Sequence, residues 1–150
     1  MTATAQDEES NLDVYVFDES TSNLYVHHEY MLPAYPLGVE WIPYIPGSGM
    51  KKGNFVAVGT FMPQIEIWNL DVCNSVQPDL ILGGNLDSEY NPHTQKEVVK
   101  GAHTDAVLSM SVHPVLPDLL ASGSADTTVK IWDLSTSKCA NTLKLHKDRV

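Results

Sequence analysis

His103, Ser122 and Asp126 are the residues of this chain best suited to chemistry. A serine hydroxyl, an imidazole to take its proton and a carboxylate to orient the imidazole together make a nucleophilic hydrolase. Two features of the sequence argue against that use. No G-x-S-x-G elbow presents a serine. Trp132 also lies six residues beyond Asp126, and its indole N–H is a donor that a neighbouring serine hydroxyl can accept. With spacings of 19, 4 and 6, His103, Ser122, Asp126 and Trp132 read as a structural tetrad. Asp126 can accept from the His103 ring and from turn amides, while Ser122 can accept from the indole or bridge imidazole and indole. Ser124 is the alternative to Ser122.

The flanking residues say which elements hold these groups. Leu119 to Ser124 is apolar or small, and residues 125–128 (ADTT) are a polar break. Val129, Ile131 and Leu134 are apolar with Lys130 pointing the other way, the alternation of a half-buried strand. Ala106 to Val112 and Cys139 to Leu145 supply two more strands. Four antiparallel strands in about forty residues make one blade of a β-propeller.

The stretch from His103 to Asp133 resembles the WD-repeat family. His103, Ser122, Asp126 and Trp132 match its tetrad, and Trp132-Asp133 matches its Trp-Asp signature. Ala102 stands where the family usually has glycine. The same position recurs twice upstream, as Trp68-Asn69 and as Phe17-Asp18. Counting back from Trp68 by the same offsets gives Met62 for Asp126 and Val58 for Ser122. That repeat is expected to keep its Trp without polar partners and to rely on packing by Val56, Val58, Ile65 and Ile67.

The expected fold is all-β, a WD-repeat propeller fragment of about two and a half four-stranded antiparallel blades. Residues 1–11 read as a disordered leader and residues 12–36 as the outer hairpin of a partial blade. Residues 37–82 read as a blade with a degenerate tetrad, 83–100 as a long polar loop, and 101–145 as the blade with the full tetrad. Residues 146–150 begin another blade, since His146 follows His103 by 43 residues, one repeat period. Trp68 follows Phe17 by 51 residues and Trp132 follows Trp68 by 64, so both units carry insertions. A whole propeller needs about 4–8 blades, so 150 residues read as part of a longer protein.

The net charge is −10. The first 50 residues hold eight acidic and no basic residues, which gives no electrostatic footprint for nucleic acid or anionic lipid. Direct nucleic-acid or membrane partners are therefore not expected. No apolar run approaches the roughly 18 residues of a membrane helix. The polar, acidic N-terminus is not a signal peptide. Cys73 and Cys139 form no metal-ligand pattern and read as buried reduced thiols. His27 and His28 are adjacent on an expected strand, so they should face opposite sides and not share a metal. No cofactor, metal or catalytic residue is expected.

Beyond the repeat, several runs resemble the periodic tryptophan protein 1 family. They are residues 26–29 (VHHE), 34–41 (AYPLGVEW), 54–59 (NFVAVG), 65–71 (IEIWNLD) and 102–108 (AHTDAVL). The resemblance covers most of residues 12–150. It implies a non-enzymatic scaffold of the nucleus and nucleolus, acting with pre-ribosomal assembly factors in ribosome biogenesis and rRNA processing. The alternative it implies is a propeller that binds histone tails in transcription of ribosomal genes, with Tyr25, Tyr30, Tyr35, Trp41 and Tyr44 available for an aromatic cage.

Overall fold

The computed structural model describes residues 2–6, 9–84 and 101–150. Eleven strands form three antiparallel meanders. The first sheet runs β1 (Thr2–Gln6), β2 (Glu9–Asp18) and β3 (Asn23–Leu32). The second runs β4 (Pro36–Tyr44), β5 (Lys52–Thr60), β6 (Ile65–Asn69) and β7 (Leu80–Leu82). The third runs β8 (Val107–Val112), β9 (Leu119–Ser124), β10 (Val129–Asp133) and β11 (Lys138–Leu143). Strand order equals chain order within each sheet, and β4 packs beside β8 and β1 beside β4. The described residues are thus all-β, in three sheets set side by side like propeller blades.

The leader is corrected by the structure. Residues 2–6 form β1, paired with β2 from Thr2 opposite Asp13 to Gln6 opposite Glu9, and β2 itself begins at Glu9. The reason is physical: the free edge of β2 carries N–H and C=O groups that a neighbouring strand satisfies. The first unit is therefore three strands rather than a hairpin. Of the expected loop at 83–100, residues 85–100 lie outside the described residues.

Strand alternation builds two cores. On β5 and β6, Val56, Val58 and Trp68 join Leu12, Tyr30 and Leu32 of the first sheet. The alternate residues Phe55, Ala57, Ile65 and Ile67 join Val107, Leu120, Trp132 and Leu134 of the third. The second sheet is buried on both faces, which explains the nearly continuous apolar run of β5. Glycine permits close approach where strands of adjacent blades meet. A Cβ on Gly59 would lie 2.9 Å from the Val107 carbonyl oxygen.

Candidate functional site

The third sheet gathers His103, Ser122, Asp126 and Trp132 on the side that packs against the second. The Trp132 indole N–H donates to Ser122 Oγ at 2.8 Å. Ser122 Oγ lies 2.8 Å from His103 Nε2, and His103 Nδ1 lies 2.9 Å from Asp126 Oδ2. With the indole donating to Ser122, the serine O–H is left for Nε2, and the Nδ1–H then donates to the carboxylate. Asp126 also accepts from the Thr104 amide at 3.0 Å and from the Thr128 hydroxyl at 2.7 Å and amide at 2.9 Å. Ser124 plays a different part: it donates to the Asp105 carbonyl and accepts from the Asp126 amide, which fixes the turn.

Burial tunes the charges. Desolvation lowers the His103 pKa and outweighs the opposing pull of Asp126, so the imidazole is neutral. For Asp126, burial works to raise the pKa. The hydrogen bonds from Thr128, Thr104 and His103 overcome it and hold the carboxyl well below the usual range. The Ser–His–Asp order matches a hydrolase triad in distance. However, His103 is 0% and Ser122 1% exposed, and the serine oxygen already accepts the indole proton.

The recurring Trp-Asp position has a common geometry. Asp18, Asn69 and Asp133 each accept from the amide two residues on, at 2.9, 3.0 and 2.9 Å from Ser20, Asp71 and Ser135. Each closes the turn after its strand, as Asx residues do. The aromatic partners differ. Trp68 and Trp132 are buried, whereas Phe17 is 58% exposed, because among the described residues no sheet covers its face.

Four expectations are overturned here. Trp68 does have a polar partner: its indole N–H donates to Glu66 Oε2 at 3.0 Å, and Glu66 is buried. Glu66 stands opposite Val58 across the β5–β6 ladder, as Lys130 stands opposite Ser122 in the third sheet. The carboxylate thus comes from Trp68's own strand, β6, rather than from β5 where the serine position falls, and the i, i+2 spacing of Glu66 and Trp68 is the signal that could have revealed it. The second correction concerns His27 and His28. The ladder slips between Val14–Tyr15 and His28–Val26, leaving His27 as an extra residue. That β-bulge re-aims the side chains and brings the two Nδ1 atoms within 2.6 Å. Burial and the neighbouring His27 lower the His28 pKa. The thiols differ as well: Cys73 is exposed and Cys139 half-buried. Exposed loop position explains the first, since Cys73 lies between β6 and β7. Tyr30 leaves the group of available aromatics because it is buried between the first two sheets.

Comparison with known proteins agrees with this geometry. The WD domain, G-beta repeat family matches residues 94–133, which include all four members of the network. The chain carries a WD repeat. A WD repeat-containing protein of Schizosaccharomyces pombe is 46% identical over 93% of this chain and 27% of its own length. Periodic tryptophan protein 1 of Saccharomyces cerevisiae is 39% identical over 99% of the chain and 32% of its length. A Drosophila virilis homolog of ribosome biogenesis protein BOP1 is 39% identical over 40% of the chain and 9% of its length. The chain therefore spans about a third or less of the length of these relatives.

Proposed function

We propose that this chain is part of a non-enzymatic WD-repeat scaffold that holds proteins together during ribosome biogenesis and rRNA processing, in the nucleus and nucleolus. The observation that carries the reading is the closed network of the third sheet. Every group of His103, Ser122 and Asp126 that could act on a substrate is occupied by another residue of the same sheet. What remains for function is surface, and propeller surfaces bind proteins. Similarity to periodic tryptophan protein 1, and the shorter match to a protein named for ribosome biogenesis, supports the process. Pre-ribosomal assembly factors are the partners this implies.

The test is affinity purification of the full-length protein from nuclear extract. Pre-ribosomal particles should co-purify, and depletion should raise precursor rRNA. Absence of both would overturn the reading.

A second reading, binding of histone tails, is favoured by one cleft. Trp41, Tyr44 and Asp71, with Pro43, Lys52 and Asn54, line a cavity of about 380 Å³ beside β4 and β5. Two aromatic rings and a carboxylate suit a cationic side chain. A histone peptide array should show preference for lysine-methylated tails, lost in Trp41→Ala; an array without preference removes this reading.

A further inference from the structure

We propose that His27, His28 and Cys73 form a binding site for a borderline-soft divalent cation of the Zn²⁺ class, fastening the outer strand of the first sheet to the loop that leaves the second. The three side chains come from β3 and from the β6–β7 connection, 45 residues apart between His28 and Cys73. A ring nitrogen of His27, a ring nitrogen of His28 and Cys73 Sγ all lie within 4.8 Å of one another. Cys73 Sγ is 3.8 Å from His28 Nδ1, and the two Nδ1 atoms are 2.6 Å apart. Around tetrahedral zinc, bond lengths of about 2.0 Å to nitrogen and about 2.3 Å to sulfur place two nitrogens about 3.3 Å apart, and a nitrogen and sulfur about 3.5 Å apart. The sulfur is near that separation from the His28 nitrogen. The imidazoles need to open by roughly 0.7 Å, a small rotation for the exposed His27 ring.

The groups behind the site select the ligating form of His28. Tyr30 Oη lies 2.8 Å from the Val72 carbonyl and 2.9 Å from the Asn69 carbonyl, so its one proton points to them. Its lone pair is left to accept from His28 Nε2 at 2.8 Å. Nε2 then carries the hydrogen, and Nδ1 presents its lone pair to His27 and Cys73. Metal-bound histidines are held in this way by a partner on the second nitrogen. Imidazole and thiolate together favour zinc-like ions over magnesium or calcium. With three protein ligands at the sheet edge, the fourth position faces solvent.

The bulge is what makes the arrangement possible. A regular strand would send His27 to the other face of the sheet, whereas the inserted residue turns two consecutive histidines to one point.

Titration of the full chain with Co²⁺ under anaerobic conditions tests the proposal. One ion per chain should bind, with tetrahedral d–d bands and a sulfur-to-cobalt charge-transfer absorption, and Zn²⁺ should displace it. Cys73→Ser should abolish the charge-transfer band. His27→Ala, a change at an exposed position, should weaken Zn²⁺ binding by about tenfold or more. Cys139→Ser should change neither. If the wild-type chain gives no charge-transfer band, the cluster is only a hydrogen-bonded histidine pair beside a thiol. Wild-type zinc affinity in both Cys73→Ser and His27→Ala would equally overturn the proposal.

Discussion

Ser122 is the hinge of the third-sheet network, since its Oγ is shared by an imidazole and an indole. Ser122→Ala should leave two buried polar groups bare, at a cost of about 1–3 kcal/mol each. Trp132→Ala should cost about 3–5 kcal/mol through the lost ring volume. Denaturant midpoints measure both. The network also sets a pH response. Unfolding restores the ordinary His103 pKa of 6.5, and the folded value is lower. The unfolded chain therefore binds the extra proton, and stability falls as pH drops below about 6.5. His28 adds to the same slope. Asp126, with its folded pKa depressed, adds a loss below about pH 4. Melting curves from pH 7 to pH 5 should show the decline, with a shallower slope in His103→Gln. His103, Ser122, Asp126 and Trp132 could be matched by spacing because Ser122 and Trp132 lie on strands, and His103 and Asp126 in breaks, that the apolar alternation already marks. The Glu66–Trp68 bond was hidden because it replaces a serine on one strand with a carboxylate on the next. The His27–His28–Cys73 cluster was hidden because a one-residue bulge and a distant loop create it, and neither leaves a periodic trace.

At the level of strands, the alternation of β5 and β6 was readable as core, but their two-sidedness was not. Val56 and Val58 face one neighbour while Phe55 and Ala57 face the other, and both sets look alike in sequence. β1 was missed for the opposite reason: ATAQ after Thr2 carries no apolar signal, and the strand is specified by the edge it fills. Contact between strands of adjacent sheets gives a sharper test. Gly59→Ala would push a methyl against the Val107 carbonyl oxygen at 2.9 Å and its Cγ1 at 3.0 Å. Backbone cannot swing aside as a side chain can, so the variant should lose about 1–3 kcal/mol. Urea unfolding with unchanged m-value would register the loss as one of stability alone.

For the whole molecule, the outer faces of the stack decide its behaviour in isolation. Phe17, Leu24 and Tyr25 are exposed on the first sheet, and an open apolar hollow on the third is lined by Met110, Ala121 and Val129. Exposed apolar faces and free strand edges favour association. The 150-residue chain by itself should sediment as oligomers at micromolar concentration; a monomer with a single sharp, high-temperature transition would contradict this.

Val150 rests on Gly123 through its Cγ1 and carbonyl oxygen, much as Val107 rests on Gly59. In both places a single hydrogen atom on the glycine sets how near another stretch of backbone can come. Thickening the Gly59 saddle by one carbon would pry the third sheet from the second, and the seam between them would open from its backbone outward.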